Sequence, residues 1–189
     1  MKTKPKIFIA LTCQRFVFSR TVFSLIHTIR QSKLDYDFDF YMEMGADIAS
    51  SRNRIAQAAR NAKATHLLFV DYDMFFPPDA IQKLLNHDKD IIGATYNFRQ
   101  DPPKSTAIPV EEAYTDKIFK CNGIGAGLLL IKTEVFDKVS SPWFMFGYNE
   151  KGEMLYGEDT YFVQRAIQAG YEVWADPTLE VKHIGEKLY

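Results

Sequence analysis

The stretch LLFVDYD, residues 67–73, is an apolar run that leads directly into two aspartates. Four consecutive apolar residues predict a short buried strand. Side chains two positions apart point to the same side of an extended chain, so the carboxylates of Asp71 and Asp73 are expected to project together from its end. Two oxygen donors there suit Mg²⁺ or Mn²⁺ bound to phosphates. A solvated acidic turn is the alternative, because Asp-x-Asp alone is a common pattern.

The segments around this strand alternate between strand and helix patterns. In the first half we predict strands at 7–11, 37–41, 67–70 and 91–94, and helices at 19–32, at 48–62 and from Pro77-Pro78-Asp79 onward. This alternation is typical of a parallel sheet with helices on both faces. Ligands bind such sheets at the carboxyl ends of the strands.

The second half of the chain is less regular. We predict strands at 125–131, 172–175 and 179–182, a short helix at 133–139 and a helix from about 160 to 169, ended by Gly170. The predicted fold class is therefore α/β. Its first half is Rossmann-like with a mostly parallel central sheet flanked by helices, and its mixed second half continues the same sheet.

The composition is that of an ordinary globular protein. The 189 residues suit a single domain spanning 1–189, and the formal net charge of -1 offers no basic surplus for binding a nucleic acid. Cys13 and Cys121 form no metal pattern and no disulfide framework. The apolar run at 7–11 is too short for a secretory or membrane segment. We therefore expect a soluble cytoplasmic protein without a transmembrane segment.

A second acidic pair, Glu158-Asp159, follows Gly157 at the start of the helix predicted near 160. Asp159 is a good N-cap residue, which is one explanation for it. The other is a general base, since a helix N-terminus keeps a carboxylate ionised and able to accept a proton from a hydroxyl. His183, at the end of the last strand, is either a structural residue or a nitrogen ligand that shifts metal preference towards Mn²⁺.

Three further groups have both a functional and a structural interpretation. Arg52 and Arg54 begin a helix, where they either reach a phosphate or are solvated. The glycines of NGIGAG, residues 122–127, allow a backbone to approach a ligand closely, although their spacing is not the dinucleotide fingerprint. Trp143 and Phe144 either stack on a sugar or pack in the core.

These residues together resemble a glycosyltransferase of the GT-A fold, near the family 2-like group of small bacterial and viral enzymes. The order of the motifs carries the resemblance: Leu11-Thr12-Cys13, Arg52-Asn53, Asp71-Tyr72-Asp73, Gly93-Ala94, Gly123–Ile131, Trp143-Phe144, Gly157-Glu158-Asp159 and His183.

The resemblance implies a nucleotide-sugar donor, most often a UDP-sugar, bound by about residues 1–100. The donor-binding residues would be Thr12 near the base, Arg52 and Asn53 near the nucleotide or diphosphate, and Asp71, Tyr72 and Asp73. Mn²⁺ or Mg²⁺ would be held by Asp71, Asp73 and His183, with Asp73 as the main ligand.

The resemblance also implies that about residues 101–189 form the acceptor-binding and catalytic half. Asp159, with Glu158 beside it, would supply the base of an inverting transfer to a hydroxyl of a glycan or glycoprotein. Gly125, Trp143 and Phe144 would contact the acceptor or the transferred sugar.

Three alternatives stay open at this point. A haloacid-dehalogenase-type phosphotransferase also places Asp-x-Asp after a strand, but Phe75 stands where it expects Thr or Val. A sugar-phosphate nucleotidyltransferase needs a Gly-rich basic loop after the first strand, and TCQRF, residues 12–16, is not such a loop. A non-catalytic nucleotide-sugar-binding module would keep the fold without turnover.

Overall fold

A computed structural model describes residues 4–13, 15–32, 35–45, 47–111 and 116–185. The strands are β1 Lys6–Cys13, β2 Asp37–Met44, β3 His66–Asp71, β4 Met74–Phe75, β5 Ile91–Ala94, β6 Ile108–Pro109, β7 Phe119–Gly123, β8 Leu128–Lys132, β9 Gly147–Tyr148, β10 Met154–Tyr156, β11 Val173–Asp176 and β12 Lys182–His183. The helices are α1 Ser19–Ser32, α2 Ile48–Asn61, α3 Ala80–Asn86, α4 Val135–Lys138 and α5 Glu158–Gln168.

An eight-stranded sheet in the order β2-β1-β3-β8-β5-β11-β7-β6 forms the centre of the molecule. β2, β1 and β3 are parallel to one another, as are β5 and β11. β8, from the second half of the chain, lies between β3 and β5 and is antiparallel to both, so it separates two of the parallel strands of the first half. β8 suits this central position because Leu128, Leu129, Leu130 and Ile131 are all buried, which covers both faces of the strand.

The core has two parts, one on each face of the sheet. Along β3, Leu67 and Phe69 pack on the face covered by α2 and α5, whereas Leu68 and Val70 pack on the face covered by α1 and α3. This alternation follows from the period of two in an extended chain. Asp71 continues the pattern of Phe69, which directs it towards α2 and α5.

The predicted helices and strands of the first half are confirmed, with small shifts at their ends. Pro77 and Pro78 precede α3 instead of lying in its first turn. Five short strands, β4, β6, β7, β9 and β10, were not predicted. The predicted strand at 125–131 begins only at Leu128, because the glycine-containing segment before it turns beneath Tyr96. No helix in the described part of the chain is long and apolar enough to cross a membrane.

Candidate functional site

A cavity of about 260 Å³ opens at the carboxyl ends of β1 and β3. Its wall includes residues from both halves of the sequence: Thr12 from β1, Asp71 from β3, Arg52 from α2, Glu158 and Asp159 from α5, and His183 from β12. The location is the one that parallel strands favour for ligands. Asp71, Glu158, Asp159 and His183 therefore do share one site.

Arg52 is the centre of a buried ionic network in this wall. Its side chain is 3% exposed, its Nη2 lies 3.0 Å from Asp71 Oδ1, and its Nη1 donates to Glu158 Oε1. Burial alone would lower the pKa of Arg52, but Asp71 and Glu158 raise it, so the guanidinium stays charged. Burial raises the pKa of Glu158, and Arg52 partly offsets that rise. Arg52 is thus engaged by two carboxylates, whereas the sequence suggested a phosphate contact.

Asp71 is held from two directions. The buried hydroxyl of Thr12 donates to Asp71 Oδ1, and Arg52 Nη2 donates to both carboxylate oxygens, at 3.0 and 3.3 Å. These hydrogen bonds fix the carboxylate on the side of α2. They occupy both acceptor positions of Oδ1 and one of Oδ2, so Asp71 has one position left for a ligand, and its role as a metal ligand stays a prediction.

Asp73 points elsewhere, because Tyr72 and Asp73 form a turn instead of continuing the strand. The expectation that the two aspartates share a side assumed an extended chain and is wrong for this reason. Asp73 is 1% exposed, and its Oδ2 lies 3.3 Å from His183 Nε2 and 2.8 Å from Arg99 Nη2. β12 brings His183 there by pairing with β4, which places His183 opposite Met74.

The residues around Asp73 fit a divalent cation only in part. Within the described ranges, no group of three or more His, Cys, Asp or Glu side chains converges as a metal site. Asp73 Oδ2 is nevertheless buried without a well-aligned hydrogen bond, although Arg99 and His183 lie at ion-pair distance. Mg²⁺ and Mn²⁺ accept few protein ligands when phosphate oxygens and waters supply the rest. Asp73 and His183 therefore fit as two protein ligands of such an ion.

The histidine tautomer supports the same interpretation. His183 Nδ1 lies 3.3 Å from the carbonyl oxygen of Asn97, an acceptor, so this nitrogen is the one that carries the proton in a neutral ring. The lone pair of Nε2 then faces the carboxylate of Asp73. A metal ion bound by Nε2 and by Asp73 Oδ2, which are 3.3 Å apart, would use both lone pairs.

Tyr96 is a site residue that the sequence analysis missed. It is buried, it lines the cavity, and its hydroxyl accepts a hydrogen bond of 2.9 Å from the amide of Gly127. A Cβ on Gly125 or Gly127 would collide with the Tyr96 hydroxyl, so the glycines make room for this ring. Burial raises the pKa of Tyr96, which keeps the hydroxyl neutral. The sequence did offer one indication of this role: Tyr96 follows β5 by two residues, and the carboxyl ends of the parallel strands lie at the edge of the sheet where the cavity opens.

Asp159 is half-buried in the cavity wall, next to the buried Glu158. The predicted N-cap role is wrong, because α5 begins at Glu158 and Gly157 is the N-cap residue. Asp159 Oδ1 instead accepts a hydrogen bond of 2.7 Å from the amide of Thr160. This bond orients the carboxylate in the first turn of the helix.

Trp143 and Phe144 lie in the hydrophobic core and not in the cavity wall. They are 4% and 1% exposed, and Trp143 Nε1 donates to the carbonyl oxygen of Val139. The interpretation of these rings as sugar-stacking residues is therefore corrected to core packing. Asn53 explains their position: its amide nitrogen donates to Phe144 O at 2.6 Å, and its oxygen accepts from Trp143 N at 2.8 Å.

Asn53 is therefore a structural residue, and its side chain does not line the cavity. Tyr72 does line it, and its ring lies about 6 Å from those of Phe16 and Phe18. Arg99 is the other residue that sequence reasoning missed. No pattern around Arg99 signals its role, because only the return of β12 to β4 brings Asp73 and His183 beside it.

Comparison with known proteins identifies the fold. No protein-family model matches the sequence, and no curated protein does so either. Among solved structures, the chain is similar to A197 from STIV, with a TM-score of 0.65 and 17% identity over 96% of this chain and 86% of that one. The chain has a GT-A-like fold. The predicted fold class is thereby confirmed.

Two further solved structures share the fold. GalNAc-T7, whose crystal structure contains UDP, GalNAc and Mn²⁺, has a TM-score of 0.60 and 12% identity over 98% of this chain and 45% of that one. A putative glucose-1-phosphate thymidylyltransferase from Bacillus anthracis, in complex with a sucrose, has a TM-score of 0.52 and 12% identity, over 90% and 89% of the two chains. At these identities the similarity is one of fold.

Proposed function

We propose that this protein is a glycosyltransferase that uses a nucleotide-sugar donor, a UDP-sugar first among them, together with Mn²⁺ or Mg²⁺. The observation that carries the proposal is the joint position of His183, Asp71 and Asp159 in one cavity of a GT-A-like fold, with Asp73 beside His183. The comparison with GalNAc-T7 also supports the proposal, because GalNAc-T7 has a similar fold and its crystal structure contains UDP, GalNAc and Mn²⁺.

In this reaction the leaving group is a nucleoside diphosphate, and the site has to stabilise its negative charge. Negative charge grows on the leaving group as the anomeric bond breaks, and fixed positive charge nearby stabilises the transition state. Asp73 and His183 would hold the divalent cation, which supplies that charge when bound. Arg99, a partly exposed guanidinium beside Asp73, is positioned to contact the same diphosphate oxygens.

The nucleoside would lie against Thr12 and Asp71. Each oxygen of an ionised carboxylate has two lone pairs, so Asp71 can accept hydrogen bonds from ribose hydroxyls while Arg52 and Thr12 hold it in place. Tyr72 and Tyr96 add aromatic surface to the same cavity.

Asp159 is the proposed base. It lines the cavity, whereas Glu158 is buried against Arg52 and cannot leave that ion pair without exposing an unpaired charge. Asp159 would accept the proton of the attacking hydroxyl, the new glycosidic bond would form on the face opposite the diphosphate, and the configuration would invert. We propose a glycan or glycoprotein hydroxyl as the acceptor, and Gly125 as a cavity residue that the acceptor would contact.

The organisation of the chain is proposed on the same basis. β8 from the second half lies between β3 and β5 from the first, so we propose one domain with a donor-binding half at about 1–100 and an acceptor half at about 101–189. Cys13 and Cys121 are both free and buried, which fits the reducing environment of the cytoplasm.

The geometry disfavours a phosphotransferase that forms a phospho-aspartate at Asp71. Both oxygens of this carboxylate are hydrogen-bonded to Arg52, which reduces their nucleophilicity. A nucleotidyltransferase would use the same cavity, since the thymidylyltransferase shares the fold. It differs in its product, because it releases pyrophosphate and not a nucleoside diphosphate.

The test is a panel of UDP, GDP, ADP and dTDP and their sugars, measured by thermal shift and calorimetry with and without Mn²⁺. A ligand at a hundredfold excess over its Kd stabilises the fold by roughly 2.7 kcal/mol. We expect one nucleotide to bind in a metal-dependent way and its sugar to be hydrolysed slowly with release of the diphosphate. No metal-dependent binding across the panel would contradict the proposal, and tight binding without any turnover would identify a non-catalytic module.

A further inference from the structure

The outer edge of the central sheet is open. β2 is the first strand in the sheet order, and in the described part of the chain no strand lies on its other side. Asp37 N donates to Pro5 O, so the odd-numbered residues of β2 bond to β1 and residues 38, 40, 42 and 44 direct their amides outward. The strand has no lysine, proline or bulge, which are the features that usually protect an edge.

The face of β2 that borders α1 is apolar and exposed. Phe40, Met42 and Met44 point to this face, and each is more than half exposed. Exposed residues of α1, among them Val22 and Ile26, continue the surface, and an apolar groove of about 280 Å³ runs between helix and strand. An apolar surface of this kind next to an unpaired strand indicates an interaction site.

The opposite face of β2 carries acidic residues that are already neutralised. Asp39 pairs with Lys6 at 2.7 Å, and Glu43 pairs with Arg54 at 2.5 Å. Charges on an edge strand normally repel an incoming strand. Here each acid has its own cation, so the edge lacks that protection.

We propose that a second copy of this chain binds at β2, by antiparallel pairing of the two β2 strands about a two-fold axis at Tyr41. In this register residues 38, 40, 42 and 44 face residues 44, 42, 40 and 38 of the second copy. Every outward amide of the strand then has a partner, and Phe40 packs against the second Met42. Asp39 lies opposite the second Glu43, where Lys6 and Arg54 alternate with the acids and neutralise them.

The unpaired amides favour a protein strand over a lipid surface. An amide buried in hydrocarbon without a partner costs several kcal/mol, whereas a second strand supplies those partners. The even spacing of apolar residues about Tyr41 makes the edge complementary to itself, which is the requirement for a two-fold interface. A different protein would need to reproduce this pattern.

Light scattering after size exclusion, at about 100 µM protein, tests the assembly. We expect a dimer for the native chain, a monomer for Met42→Lys and a dimer for the control Met154→Lys. The two methionines are 51% and 61% exposed, so both lysines are tolerated by the monomer, but only the first adds charge to the edge of β2. Thermal melts of the two variants verify that both are folded.

Cross-linking tests the register independently. Cα atoms of a non-hydrogen-bonded antiparallel pair are about 4.5 Å apart, within the range of a disulfide. Tyr41→Cys is therefore expected to give a covalent dimer on mild oxidation, whereas Glu150→Cys, on the exposed turn between β9 and β10, is not. A native monomer, a dimer unaffected by Met42→Lys, or an equal yield from both cysteine variants would each refute the proposal. So would a monomer that binds phosphatidylglycerol vesicles through Met42, which would identify a lipid surface as the occupant.

Discussion

His183 Nε2 lies 3.3 Å from Asp73 Oδ2, which joins the last strand of the described chain to the turn that follows β3. Two backbone contacts maintain this relationship: His183 lies opposite Met74 in the β4–β12 pair, and Ile184 N donates to Asp73 O at 2.7 Å. The imidazole and the carboxylate are thus positioned by the same short antiparallel pair. A change at either residue should affect the same property, the metal dependence of nucleotide binding.

Asp73→Asn and His183→Gln are each expected to weaken UDP binding in the presence of Mn²⁺ and to leave metal-free binding nearly unchanged. The loss should reach at least the roughly 10–100-fold that removal of an outer-shell partner costs a metal site. Titration calorimetry with UDP, with and without Mn²⁺, measures it. His27→Gln, on α1 and outside the cavity wall, is the matched control. Equal losses with and without Mn²⁺ would mean that the pair does not hold a metal.

Asp159→Asn is expected to preserve UDP and UDP-sugar affinity but to lower turnover by about 10²–10⁴-fold, the usual contribution of a general base. Diphosphate release from the donor sugar identified in the nucleotide panel measures turnover, with water in place of the acceptor hydroxyl. The hydrogen bond from Thr160 N can still be accepted by the asparagine oxygen, so the helix start should be retained. Undiminished turnover would exclude Asp159 as the base.

Most of the fold could be predicted from the sequence because local patterns decide it. β3 is a continuous apolar run, and α2 begins where Asp47 accepts a hydrogen bond from Ser50 N. The insertion of β8 between β3 and β5 could not be predicted, since a buried antiparallel strand and a buried parallel one have the same apolar pattern.

The sequence allowed several residues of the site to be proposed, but it did not reveal which residues they contact. Asp71, Asp73, Asp159 and His183 could be proposed because acids and a histidine follow strands or begin a helix. Their partners depend on chain reversals that leave no local pattern, such as the turn at Asp73 that directs it away from Asp71. The roles of Tyr96 and Arg99 depend on contacts with residues distant in sequence, and for that reason they were missed.

Arg52→Met is expected to destabilise the fold by about 3–5 kcal/mol at neutral pH, because it leaves Glu158 and Asp71 without their buried cation. The loss should shrink as the pH falls. Burial raises the pKa of Glu158 and Arg52 lowers it, so without Arg52 the pKa rises further. When the pKa of a carboxyl is higher in the folded protein than in the unfolded chain, the group stabilises the fold most at a pH below its unfolded-state pKa, roughly 4.3 for Glu. This stabilisation is lost as the pH rises through the pKa of the folded state.

Urea unfolding of native and Arg52→Met protein at about pH 5 and about pH 7 measures this linkage. Arg54→Met is the control, because the Arg54–Glu43 pair is half-exposed on the arginine side and such surface pairs contribute about 0–1 kcal/mol. A deficit that is the same at both pH values would show that Glu158 does not titrate in response to Arg52.

Asn53→Asp tests whether Asn53 is structural or binds the nucleotide. The resemblance implied contact with the donor, whereas the structure shows hydrogen bonds to the backbone of Trp143 and Phe144. The aspartate keeps an oxygen for the amides of Trp143 and Phe144 but loses the donor to the carbonyls of Ala49 and Phe144, and places a carboxylate against them. A buried acceptor left without a donor costs about 1–3 kcal/mol, so stability should fall by at least that amount.

The same substitution should leave the UDP affinity of the folded protein unchanged, because Asn53 does not line the cavity. Urea unfolding and calorimetry on one preparation report both quantities. Asn122→Asp, at an exposed position of β7, controls for the added charge and should alter neither. If Asn53→Asp instead weakened UDP binding while the unfolding midpoint stayed constant, its amide would belong to the donor site, and the packing of Trp143 and Phe144 would not depend on it.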